Sequence, residues 1–137
     1  MKKYVLYEKK TGKVLSSGTS FYVERLETDE LGVIIDESVN DVQKVYVRNG
    51  QIMHMTDKPS PFHEWDYVRS AWVFSEELAW RDVRMKRNTL LQQSDWTQLP
   101  DVPALTMQAW IDYRQKLRDI TNQQDPMNIV WPSKPSN

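Results

Sequence analysis

The sequence predicts an α+β protein, with N-terminal antiparallel β hairpins and meander followed by a C-terminal helical hairpin and an extended, Pro-rich tail. Three observations lead there. Apolar and polar residues alternate in short stretches as far as Phe74, the apolar spacing lengthens to a helical period after it, and Pro100 and Pro103 break the helical half in its middle. The change of period divides the chain into an antiparallel β subdomain, 1–74, and an αα-hairpin with an ordered tail, 75–137.

In the first half, "KYVLYE" is rich in aromatic and β-branched residues, "KKTGK" supplies a turn at Gly12, and "VLSSG" follows as a partner strand. "VYVRNGQIMHM" is the stronger hairpin signal, because Asn49-Gly50 readily takes the positive φ angles of a type I′ turn. "GVIIDES" supplies a further short strand. "WDYVRSAWVF" alternates large apolar and polar residues about a turn at Arg69-Ser70. An antiparallel meander is the expected sum.

After Phe74, Ser75 is a suitable N-cap, Glu76 and Glu77 fall where a helix dipole favours negative charge, and no Gly or Pro intervenes before Pro100. A helix over 76–93 follows. Trp80, Val83, Leu90 and Leu91 share one side of it, and Leu78 and Met85 lie roughly opposite, which implies two contact surfaces. A second helix is expected over 107–120, capped by Thr106, with Leu105 and Trp110 as a hydrophobic staple and Met107, Trp110, Tyr113, Leu117 and Ile120 in one stripe. The tail "NQQDPMNIVWPSKPSN" reads as extended because of its three prolines.

Composition narrows the function classes. A net charge of -1 gives no overall attraction to nucleic acid or anionic lipid. Without cysteine there is no disulfide framework, thiolate metal site or cysteine nucleophile. The apolar run Tyr4 to Tyr7 is shorter than the ~7–15 residues of a signal-peptide core, and no stretch approaches the ~20 apolar residues of a membrane-spanning helix. His54 and His63 have no metal-ligand spacing, and the adjacent acids Asp29-Glu30 and Asp36-Glu37 read as solvated loop residues. No catalysis, cofactor or metal is expected. In "WRDVRMKRN", Arg81, Arg84, Lys86 and Arg87 form a basic run broken only by Asp82. Arg84 and Arg87 project beside Trp80, Val83 and Leu91, so ion pairs or protein-interface contacts are expected rather than phosphate binding.

The connector "LLQQSDWTQLPDVP" is unusual, for it places Trp96 and Leu99 in a polar loop stiffened by two prolines. With "WIDYRQKLRDI" and "NIVWPSKP" it resembles the C-terminal signature of the phage tail assembly chaperone family, over about residues 81–132. The resemblance implies a non-enzymatic bacteriophage tail assembly protein, assisting folding, trimerisation or attachment of a tail fibre. It implies a phage tail fibre or other tail protein as partner and action in the bacterial host cytoplasm, with neither nucleic acid nor membrane insertion. A structural subunit retained in the virion tail, at the tail tip or fibre base, is the principal alternative. A receptor- or carbohydrate-binding module resting on Trp65, Tyr67 and Trp72 is the second.

The residues assigned to partner binding are Trp80, Arg84, Arg87, Trp96, Leu99, Trp110, Tyr113, Arg114 and Trp131. For Trp96 two readings stand: a ring folded over the open end of the helical hairpin, or a preorganised partner surface whose rigidity lowers the entropy lost on binding. Ser94 or Asp95 is expected to satisfy backbone groups at the helix end. The same choice, packing onto the hairpin or docking into a partner, applies to Trp131. Oligomeric state is left open.

Overall fold

The computed structural model describes residues 1–136; Asn137, the last residue of the expected 75–137 subdomain, lies outside the described residues. The fold is α+β, and the chain divides into two compact units, Met1–Phe74 and Ser75–Asn137.

The first unit contains seven strands: β1 (Lys2–Glu8), β2 (Val14–Ser20), β3 (Leu31–Ile35), β4 (Val45–Arg48), β5 (Gln51–His54), β6 (His63–Asp66) and β7 (Ala71–Phe74). The hairpins β1–β2, β4–β5 and β6–β7 fall where alternation and turn residues placed them, all antiparallel. Asn49 and Gly50 both take positive φ, 54° and 73°, as a type I′ turn requires. The strands do not continue as one meander. They form three small sheets, β2-β1-β3, β4-β5 and β6-β7, and β3 pairs with β1 rather than with its predecessor β2. The 3-10 turn Val23–Leu26 redirects the chain after β2, so β3 returns along the open side of β1.

The core of this unit is a cluster of valines, Val5, Val14, Val39, Val45 and Val47, with Tyr7, Ile34, Val42 and Ile52 packed against it. Gly12 permits the sheets to approach: its φ is +85°, and a Cβ there would stand 2.1 Å from the Val47 carbonyl oxygen. The Val47 N–H donates to the Gly12 carbonyl at 2.8 Å. Arg48 ties the third hairpin to the second, its Nη2 donating to the Tyr67 carbonyl and to Ser70 Oγ. Asp36 Oδ1 accepts the Ser38 N–H at 2.7 Å, the Ser38 hydroxyl at 2.6 Å and the Val39 N–H at 3.1 Å. That turn delivers Val39 to the core.

The second unit contains α1 (Glu76–Gln93) and α2 (Ala104–Arg118). Ser75 caps α1 as expected, its Oγ accepting the Leu78 N–H at 3.2 Å. The start of α2 departs from expectation. Pro103, not Thr106, is the N-cap residue, and the Met107 N–H already donates to the Pro103 carbonyl at 2.8 Å. With its φ held near helical values, Pro103 starts the helix without a side-chain cap. Leu105 then lies inside the helix and 90% exposed, so no Leu105–Trp110 staple forms.

The expected α2 stripe forms the core here: Trp110, Tyr113 and Leu117 are buried, with Leu90 and Leu91 of α1 and Trp131 of the tail packed against them. Val83 is buried on α1, while Met85 is exposed. The helix ends at Arg118, before a separate 3-10 turn, Ile120–Asn122. The tail is not extended throughout. Gln123 closes a loop by donating from Nε2 to the Val130 carbonyl and accepting the Val130 N–H, both at 2.9 Å. Within that loop Asp125 receives the Met127 N–H and the Asn128 side-chain amide.

Candidate functional site

The connector between α1 and α2 is held by a compact set of polar groups. Gln93 ends α1, and the chain passes through the 3-10 turn Asp95–Gln98. Ser94 and Thr97 are buried. The Ser94 hydroxyl lies 3.0 Å from the carbonyl oxygens of both Leu90 and Leu91, and Thr97 Oγ1 donates to the Ser94 carbonyl at 2.6 Å. From α2, Arg114 Nη1 donates to the Leu91 carbonyl at 2.6 Å and to Ser94 Oγ at 2.7 Å, and Nη2 pairs with Asp95 at 3.0 Å. One guanidinium thus joins the Leu91 carbonyl of the last helical turn, the Ser94 hydroxyl and the Asp95 carboxylate.

These anchors fix an aromatic series. The Trp96 ring meets Trp110 edge-on, centroids 5.8 Å apart, and Trp110 meets Tyr113 edge-on at 5.6 Å. Lys134 Nζ lies 5.9 Å from the Trp110 ring centroid. Trp110 is 1% exposed, Trp96 is 47% exposed and Leu99 is 53% exposed. Trp96 thus packs against Trp110 and leaves about half of its surface to solvent.

The nine predicted partner residues therefore separate. Trp96 and Leu99 offer apolar surface, and Arg84 is exposed on α1. Trp110 and Tyr113 belong to the core, while half-buried Trp131 packs on it. Arg114 is engaged by the connector, with its side chain only 15% exposed. Half-buried Trp80 lies 3.4 Å from Glu76 through its indole nitrogen. Arg87 donates to Asn88 Oδ1 and, at 3.4 Å, to the Arg118 carbonyl at the end of α2. Among the described residues neither Arg84 nor Arg87 forms an ion pair, whereas Arg81 pairs with Glu77 and Lys86 with Asp82. Sequence reasoning did not single out Thr97 or the Arg114 anchor. A Ser-x-x-Thr run directly after a helix was the available signal, since such hydroxyls bond locally to backbone.

The aromatic residues of the third hairpin are engaged with one another. Trp65 packs between Tyr46 and Trp72 at 5.0 and 5.3 Å. Trp72 Nε1 donates to the Thr56 carbonyl, and Lys58 lies over its ring. His63 is bonded to Ser60 and stacks edge-on with Phe74. Among the described residues no group of three or more His, Asp or Glu side chains could hold a metal ion, and no helix is long and apolar enough to cross a membrane.

The C-terminal unit is thus a small α-hairpin with buried Trp110 in its core and a second tryptophan, Trp96, half exposed on the connector. Residues 80–136 match the family described as phage tail assembly chaperone protein, so this segment of the chain is similar to phage tail assembly chaperones. Neither a curated protein nor a solved structure matches the chain.

Proposed function

We propose that the protein is a non-enzymatic chaperone acting in the bacterial host cytoplasm, assisting folding, trimerisation or attachment of a tail fibre through the connector of its C-terminal unit. Residues 1–74 and 75–137 are then separate working subdomains, the second holding the client surface. The observation behind this reading is the half-exposed Trp96, fixed against buried Trp110 in a loop that also exposes Leu99. An aromatic side chain already ordered in the free protein loses little entropy when a partner covers it. Exposed apolar surface of this kind shields aggregation-prone parts of a folding client until its own subunits cover them. Arg84, exposed on α1 and without an ion pair among the described residues, supplies a charge on the same unit.

Coexpression with the tail fibre tests this. Trp96→Phe keeps an aromatic ring for packing on Trp110 while removing the indole N–H and part of the contact face. It is expected to leave thermal stability close to wild type and to lower recovery of soluble fibre, with Arg84→Gln doing the same through charge. If stability and recovery fall together in every variant, Trp96 is a packing residue only. Quantitative mass spectrometry of purified virions separates transient action from permanent residence: absence supports the chaperone, and stoichiometric retention favours a structural subunit.

A further inference from the structure

The first unit has a sheet edge that no strand among the described residues pairs. In the register of β1 with β3, Tyr4 faces Ile35 and Leu6 faces Val33. The bonds from the Asp36 N–H to the Lys3 carbonyl and from the Lys9 N–H to the Glu30 carbonyl fix which β3 residues bond inward. They are Gly32 and Ile34, and antiparallel geometry turns the backbone groups of Leu31, Val33 and Ile35 outward. Leu31 is satisfied at both groups by Thr28, whose Oγ1 accepts the Leu31 N–H and whose N–H donates to the Leu31 carbonyl. Val33 and Ile35 have no such partner among the described residues, and β3 is an outer strand of its sheet. Proteins usually blunt such an edge with a charge, a proline or a bulge; Leu31–Ile35 contains no charge and no proline.

A shallow pocket adjoins this edge, lined by Phe21, Val23, Val33 and Ile35 with Lys2, Glu24 and Glu27 at its border. Phe21 and Ile35 are exposed. Lysines in and just after β1 stand nearby, with Lys2 at the pocket, Lys9 paired with Glu27 at 3.6 Å and Lys3 donating to the Glu37 carbonyl, while the chain flanking β3 itself is acidic. Asp29-Glu30 precede β3, Asp36-Glu37 follow it, and from Leu26 to Gln43 the chain has acids and no Lys or Arg. A second copy paired edge to edge would bring these acids together, which costs free energy. An extended partner with positive charge meets the opposite situation.

We propose that the β3 edge accepts a strand from another protein, an extended segment of alternating apolar and basic residues that bonds to the backbone of Val33 and Ile35 and places an apolar side chain against Phe21 and Val23. This is β-strand addition, in which backbone bonds supply affinity and the flanking pocket and charges supply selectivity. The site lies wholly in the first unit and does not depend on the connector reading.

The test uses the full chain and a short capped peptide of alternating valine and lysine, with residue-resolved amide exchange. Peptide is expected to slow exchange at Val33 and Ile35 and leave Gly32 and Ile34 unchanged. The same peptide with glutamate for lysine is expected to bind about tenfold more weakly or worse. Ile35→Lys, and separately Glu24→Lys with Glu37→Lys, should weaken binding of the lysine peptide while Val5 remains protected, which reports an intact sheet. Failure of the lysine peptide to bind, binding without protection of Val33 and Ile35, or equal binding of the glutamate peptide overturns the proposal. Protection of the same two amides that grows with protein concentration alone also overturns it, since the occupant is then a second copy.

Discussion

The two units bury different materials. In Met1–Phe74 the cluster is five valines, contributed by β1, β2, β4 and a loop. In the second unit it is Trp110, Tyr113 and Leu117, all from α2. In the first unit Gly12 lets two hairpins meet backbone to backbone at Val47, and short β-branched side chains fill the space around that contact. Helix axes stand ~8–10 Å apart, and large side chains from one helix span that gap. The lesson is about concentration: stability is divided among many small contacts in the first unit and rests on a few large side chains in the second.

The largest expected effect follows from that contrast. Trp110→Ala should cost about 3–5 kcal/mol, the usual range for removing a large buried aromatic, because the ring is 1% exposed and contacts both Trp96 and Tyr113. Val5→Ala, at a fully buried position, should cost about 2 kcal/mol, from ~0.8 kcal/mol per methylene-sized group plus the cavity left behind. Denaturant titration measures both. Equal costs would break the comparison.

The same contrast explains how much the sequence disclosed. Period and turn chemistry located the hairpins and α1, because Asn49-Gly50 and Ser75 act through neighbours a few residues away. The return of β3 to β1 was not legible, since alternation names a strand and not its partner. Thr106 resembled a cap and Pro103 took the role, both being sound starts for a helix. In the candidate site, an aromatic residue in a stiff loop was visible; the separation of Trp96 from Trp110 by burial was not. Arg114 stands on α2 at helical spacing from the core stripe, and only the folded connector brings Leu91, Ser94 and Asp95 within its reach.

Arg114 therefore sharpens the comparison with a polar example. Arg114→Gln should cost about 1–2 kcal/mol, less than Trp110→Ala, as buried acceptors around Ser94 lose a charged donor. The loss should appear as faster amide exchange at Ser94 and Thr97. Exchange unchanged there would mean that the Ser94 and Thr97 hydroxyls hold the connector without Arg114.

The smallest expected effect compares two similar turns, one in each unit. The Asp36 carboxyl is held below its ordinary value, first by the Ser38 hydroxyl, then by the Ser38 and Val39 N–H groups and Lys3, against a smaller opposing effect of burial. Asp125 is lowered in the same way, first by the Asn128 side chain and then by the Met127 N–H. A carboxyl whose folded value is depressed adds stability above its unfolded value, and that contribution disappears as pH falls through the folded value. Both turns should therefore weaken only below pH about 4, where carboxylates begin to take up protons. The consequences differ because the Asp36 turn leads to buried Val39, whereas the Asp125 turn leads to exposed Met127. Asp36→Asn, which keeps an oxygen acceptor without the charge, should flatten the acid-side loss of stability in the first unit. Asp125→Asn should alter the exchange of the Met127 and Asn128 amides and leave the acid melting of the second unit nearly unchanged. If instead Asp125→Asn flattens the acid response as strongly as Asp36→Asn, the closed loop between Gln123 and Val130 supports the tryptophan core as firmly as the Asp36 turn supports the valines.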